Sequence, residues 1–124
     1  MIPKFRGYIP KLNELVPIFD IKYNANLVLT DLKEESLDGQ GAYNLDEVEL
    51  MEITPFVERH KHTLNVPIYE GDIVQKYDCI FPDEEGKIVA VKFIRELMDF
   101  NINGSSQYKI LGNIYENPEL LEDN

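Results

Sequence analysis

Lys87-Ile88-Val89-Ala90-Val91-Lys92-Phe93-Ile94 is the run on which the fold class turns. Its period is two rather than 3.6: Val89, Val91 and Phe93 share one face of an extended strand, Ile88 and Ala90 the other. A strand apolar on both faces is predicted to be central in its sheet. Upstream, Pro82-Asp83-Glu84-Glu85-Gly86 reads as a hairpin-type turn. Before it, Ile68-Tyr69-Glu70-Gly71-Asp72-Ile73-Val74 reads as a strand with an interior glycine, continued over residues 77–81. Downstream, residues 95–100 fit a helical turn or a strand end, 101–106 a loop, and Tyr108-Lys109-Ile110-Leu111-Gly112-Asn113-Ile114 a last strand. Asn117-Pro118-Glu119-Leu120-Leu121 has an N-cap residue, a proline at the first helical position and an acid in the first turn, which predicts a short C-terminal helix.

The N-terminal half follows the same period. Ile18-Phe19-Asp20-Ile21-Lys22-Tyr23 and Asn26-Leu27-Val28-Leu29-Thr30 read as strands around the turn signal Asn24-Ala25-Asn26. Pro3, Pro10 and Pro17 place the opening segment at edges and turns. The polar stretch 34–41 reads as an exposed loop. Residues 46–53 alternate until Met51, where the slip suggests a bulge. The expectation is a mainly β fold: a small, partly open barrel, SH3-like or similar, with an N-terminal β arm (1–56), a barrel core (66–121) and the short C-terminal helix. At 124 residues one domain is expected, burying roughly two-thirds of its surface on folding.

Charge narrows the function classes. There are 23 acids against 12 Lys and Arg, a net charge of −11. Such a balance argues against general DNA, RNA or anionic-membrane binding, which draw on Lys and Arg. Residues 31–58 hold nine acids and only Lys33 in opposition, whereas the first eleven residues carry Lys4, Arg6 and Lys11 and no acid. The plain reading is a solvated face. The sharper one is an acidic surface (Asp31, Glu34, Glu35, Asp38, Asp46, Glu47) for a basic partner or for the basic arm of a second copy. A single cysteine, Cys79, excludes an internal disulfide and fits a cytosolic setting. No run approaches a membrane span, and the N-terminus lacks the apolar core of a signal peptide.

Two blocks resemble the signatures of the YopX protein family: residues 68–74 as quoted above, and Ile110-Leu111-Gly112-Asn113-Ile114-Tyr115-Glu116-Asn117-Pro118-Glu119-Leu120-Leu121. Lys4-Phe5-Arg6-Gly7-Tyr8 is similar to the family's usual opening, and Met51-Glu52-Ile53-Thr54-Pro55-Phe56 to its Met-Gln-Tyr-Thr-Gly-Leu block. The chain departs from the family at Pro55 and in the longer run Val57-Glu58-Arg59-His60-Lys61-His62-Thr63-Leu64-Asn65. The resemblance implies a β-rich, partly barrel-like fold and a phage or prophage origin. It implies no activity, since none is established for the family.

Within the blocks, Gly71 suits a tight bend or bulge, and Asp72 beside it suits capping backbone N–H groups there. Gly112 suits a close crossing of the last strand; Tyr69 and Ile73 read as core. Asn113 and Pro118 complete the structural motif.

Candidate chemistry is sparse. His60 and His62 share a strand face and with Glu58 offer a partial metal site, but no third and fourth ligands show the spacing. Glu70 and Asp72 share a face without the dry pocket that splits carboxylate pKa values. Ser36, Ser105 and Ser106 lack a nucleophile-elbow context. Gly39-Gln40-Gly41 lacks the third glycine of a dinucleotide loop. Tyr8, Tyr43, Tyr77 and Tyr108 look exposed, as a single-strand-stacking surface requires, yet few bases accompany them. The expectation is a cytoplasmic, non-enzymatic contact module without cofactor or metal. Its partner is a second copy, or a host or phage protein. An acidic effector binding a basic nucleic-acid-binding protein is the alternative, and weak single-strand binding the second.

Overall fold

The computed structural model describes residues 3–58, 65–77, 86–103 and 106–122. The fold is mainly β and includes a four-strand half-barrel. Among the described residues there is no α-helix, only 3-10 turns, and no helix is long and apolar enough to cross a membrane. The chain divides into two compact units, Met1–Ile53 and Thr54–Asn124.

In the first unit β1 (Phe5–Ile9) pairs antiparallel with β2 (Glu14–Ile18) on one side and with the start of β6 (Glu49–Val57) on the other. β1 is therefore an inner strand, not the edge its prolines suggested. Pro3 and Pro10 bracket it without entering it, and Pro17 lies in β2, an edge strand where a missing N–H is tolerated. A second sheet has the order β3 (Asp20–Lys22), β4 (Leu27–Leu29), β5 (Ala42–Asn44). The expected 24–26 turn is a 3-10 turn over Tyr23–Ala25, ended by Asn26 at φ 56, a left-handed conformation that asparagine tolerates. Ile9, Val16, Ile18, Val28, Tyr43 and Val48 form the core of this unit. The β1–β6 register runs unbroken from Phe5 opposite Glu52 to Tyr8 opposite Glu49, so no bulge at Met51 interrupts this pairing. Met51 is buried instead, with the guanidinium of its cross-strand partner Arg6 3.9 Å from its sulfur.

The second unit centres on β8 (Asp72–Tyr77), which lies between β12 (Gln107–Asn113) and β9 (Ile88–Ala90). The 87–94 run is thus not the central strand; β9 is an edge. The run breaks at Val91, whose buried side chain joins the core while its N–H donates to the Asp72 carbonyl at 2.8 Å. Beyond the break, β10 (Phe93–Ile94) and β11 (Asp99–Phe100) make a small hairpin. β7 (Pro67–Tyr69) follows β6 in sheet order. Ile68, Val74, Val91, Ile102 and Tyr108 form this unit's core. The predicted C-terminal helix is a 3-10 turn over Pro118–Leu121, because Asn117 does not cap it: its side-chain oxygen turns back to accept the Asn113 N–H at 3.2 Å.

Candidate functional site

Two surfaces of the first unit and one corner of the second gather the residues singled out in the sequence. The acidic stretch 31–41 is a held loop. Thr30 and Gly41 close its base: the Thr30 N–H and hydroxyl both donate to the Gly41 carbonyl, at 2.8 and 2.9 Å. Gly41 sits at φ 120, and a Cβ there would lie 2.0 Å from the Thr30 carbonyl oxygen, so only glycine fits. From beneath, the buried Tyr43 hydroxyl reaches the carbonyls of Leu32 (2.8 Å) and Glu34. Burial raises the pKa of that phenol, which keeps it a donor.

Asp38 accepts the Gln40 N–H at 2.9 Å and the Ala42 N–H at 3.1 Å. The Gln40 bond first, then that of Ala42, holds its pKa below the usual aspartate value. Asp31, Glu34, Glu35 and Asp38 are all exposed. Asp46 and Glu47 lie apart from them in the 3-10 turn Leu45–Glu47, where Asn26 donates to Asp46 at 3.1 Å.

The basic arm meets this acidic segment within one chain. Lys11 reaches Glu47 at 3.0 Å and lies 5.6 Å from the centre of the Tyr43 ring. The Lys11 ammonium is the main reason the Glu47 pKa is lowered. Lys4 lies over the Phe5 ring. The second surface is an apolar groove of about 770 Å³, walled by Phe5, Ile18, Phe19, Ile21 and Tyr23, with Lys4 and Asp20 at its polar margin. Phe19 is 61% and Tyr23 66% exposed. Sequence reading missed both. The signal was the adjacent pair Ile18-Phe19: in a strand with one buried face, two successive apolar residues cannot both point inward. The tyrosines that looked exposed are not: Tyr43, Tyr77 and Tyr108 are buried and Tyr8 is half-buried.

In the second unit the two signature blocks meet. Asp72 and Asn113 are directly paired across β8 and β12. Gly71, at φ 96, turns the chain from β7 into β8. The buried Asp72 carboxylate accepts the Tyr69 N–H at 2.8 Å across that turn. Across the ladder the side-chain Oδ1 of the buried Asn113 accepts the N–H groups of Tyr115 (3.0 Å) and Glu116 (2.9 Å). Gly112 leaves room for Asn117, whose Oδ1 would lie 2.3 Å from a Cβ at 112. Tyr69 and Ile73 are core, and Pro118 opens the 3-10 turn. The Asp72, Asn113 and Asn117 oxygens named here accept backbone N–H groups, and the Asn113 amide donates to the Glu116 carboxylate at 2.8 Å; both are architectural work.

Glu58 is likewise buried and accepts the Ile110 N–H at 2.7 Å. Among the described residues no group of three His, Cys, Asp or Glu gathers to hold a metal. His60, His62, Cys79, Ser105 and the turn at 82–85 lie outside the described residues.

One family model, described as YopX protein, matches residues 4–122 of the chain. The chain belongs to the YopX family. Its fold is similar to that of a solved structure, protein EF1440 from Enterococcus faecalis, with a TM-score of 0.63 at 20% sequence identity over 98% of this chain and 99% of that one. No curated protein matches. The YopX match spans both units, and the likeness to EF1440 shows the fold alone.

Proposed function

We propose that this YopX-family chain is a phage- or prophage-encoded contact module. It works by binding protein, self-assembles, and acts in the cytoplasm of its bacterial host without a membrane or a cofactor. The observation that carries the reading is the pair of exposed aromatics, Phe19 and Tyr23, on the apolar groove. Apolar surface left open in this way favours a protein partner. Residues 66–121 serve it as a framework that we read as a partly open, SH3-like barrel.

A non-enzymatic role fits the titratable groups whose pKa is displaced. Asp38, Tyr43 and Glu47 each bond to a structural partner: two backbone N–H groups, two loop carbonyls and the Lys11 ammonium. Nucleic acid suits the module poorly: Tyr43, Tyr77 and Tyr108 are buried, and at the groove of Phe19 and Tyr23 the lining base Lys4 is set against Asp20.

The exposed carboxylates of Asp31, Glu34, Glu35 and Asp38 favour a second reading, an acidic effector that occupies a basic protein. A pull-down from nuclease-treated host and phage-infected lysates separates the two. The wild type runs beside a variant carrying Asp31→Asn, Glu34→Gln and Glu35→Gln, which removes charge without touching a described hydrogen bond. Recovery of the chain alone, as an oligomer, supports the contact module. A basic protein held only by the wild type, and displaced by DNA, supports the effector. A monomer that captures nothing overturns both.

A further inference from the structure

The edge strand β3 carries a charge pattern that is complementary to itself. β3 pairs with β4 on one side, and among the described residues no strand pairs with its other side. The Ile21 N–H donates to the Asp20 carboxylate at 2.9 Å, and Asp20 in turn lies 3.2 Å from the Lys22 ammonium. Asp20 and Lys22 are exposed and share the face opposite Ile21. On the Ile21 side, the exposed Phe19 and Tyr23 flank the strand at the groove.

We propose that β3 pairs antiparallel with β3 of a second copy about a twofold axis at Ile21, closing a symmetric dimer over the groove. The inference rests on the contact-module reading and names its partner and surface. Symmetry leaves few registers. A twofold perpendicular to the sheet keeps each side chain on its own face, so opposed residues must differ by an even number of positions. Centring the axis on Asp20 sets two carboxylates against each other, and centring it on Lys22 sets two ammonium groups against each other. Both arrangements are unfavourable. Centring it on Ile21 places Asp20 opposite Lys22 of the second copy and Lys22 opposite its Asp20, two pairs in all; Asp20 then exchanges the Ile21 N–H for that ammonium group and frees the N–H for the second copy's edge. The same register brings the two ends of β3 together, so that Phe19, just before the strand, and Tyr23, which opens the following 3-10 turn, flank the seam at the groove. Edge-strand charges ordinarily discourage pairing; in this single register they favour it.

The test is a charge-swap series on the full chain, with mass and dissociation constant read by light scattering and sedimentation across a concentration range. Asp20→Lys alone sets like charges opposite at both pairs, as does Lys22→Asp alone. Each is expected to weaken the dimer about tenfold or more. The double variant Asp20→Lys/Lys22→Asp restores complementarity and is expected to regain the dimer. Mixing the two single variants should give a heterodimer, since one then presents two bases and the other two acids. All substitutions fall at exposed positions, and circular dichroism of each variant confirms folding. An oligomer indifferent to both single swaps overturns this surface while leaving the contact module standing. A wild type monomeric at its highest soluble concentration overturns the dimer, and the contact-module reading then stands or falls on the pull-down.

Discussion

Each unit contains an aspartate beside a left-handed glycine, and the two pairs are used in opposite ways. In the second unit, Asp72 is buried and its carboxylate closes the Gly71 turn by taking the Tyr69 N–H. In the first, Asp38 is exposed and takes the N–H groups of Gln40 and Ala42 on either side of Gly41. The chemistry is the same: a short acceptor satisfies main-chain donors that the bend withdraws from any ladder. Burial separates the outcomes. The inner carboxylate is committed to architecture, whereas the outer one shapes a loop and still presents its charge to solvent. The residues of the Gly71–Asp72 and Gly112–Asn113 blocks therefore hold the second unit together, while the groove and the acidic loop belong to the first.

Gly41→Ala breaks the outer arrangement most severely. The new methyl would overlap the Thr30 carbonyl at a φ that other residues rarely adopt, and the expected loss is on the order of 3 kcal/mol. Denaturant unfolding followed by circular dichroism reads it, and an unchanged midpoint would show that Thr30 and Gly41 can separate freely. Asp72→Ala comes next. It leaves the Tyr69 N–H without its carboxylate in a buried setting and should cost about 2 kcal/mol. Asp72→Asn keeps an acceptor in place and should cost less. Equal losses in the two variants would mean that charge, not the hydrogen bond, holds the Gly71 turn.

These effects also mark what was legible in the sequence. The Tyr69-Glu70-Gly71-Asp72 bend was readable because glycine and aspartate have few other uses between two apolar runs. β1 and β9 were misplaced for different reasons: the prolines that suggested an edge only bracket β1 or lie in β2, and for β9 periodicity reports which faces are apolar, not where the chain leaves the sheet. Val91 looks like the middle of a strand, yet its carbonyl accepts the Gly71 N–H and its N–H serves Asp72, so pairing with β8 stops there. The C-terminal turn was legible in place and not in type, since the Asn117 side chain was committed to Asn113, four residues back. Of the candidate site, the acidic loop was visible as charge. The groove was not, because exposure of Phe19 and Tyr23 depends on how β2 hands over to β3.

The smallest expected effect concerns Asp38 and pH. Its pKa in the folded chain lies below its unfolded value, so the folded state binds the proton more weakly. The contribution to stability is present above the unfolded pKa and is lost as pH falls through the folded one. In an NMR titration the Gln40 and Ala42 amide shifts should move together at a midpoint below the ordinary aspartate range. A midpoint at the ordinary value would show the loop bonds to be absent in solution. Asp38→Asn should remove the transition and leave the second unit's stability unchanged.

The loop beneath those amides has a consequence for how the protein can diverge. Tyr43, Ser36 and Thr30 grip it by the carbonyls of Leu32, Lys33, Glu34 and Gly41, which every residue type supplies. The side chains of Asp31, Glu34 and Glu35 take no part in that grip. Of the three, the backbone conformation restricts only Glu35, which sits at φ 51 and favours residues that tolerate a left-handed conformation; at Asp31 and Glu34 the loop can trade one surface chemistry for another by single substitutions, and the fold need not change to follow a changing partner.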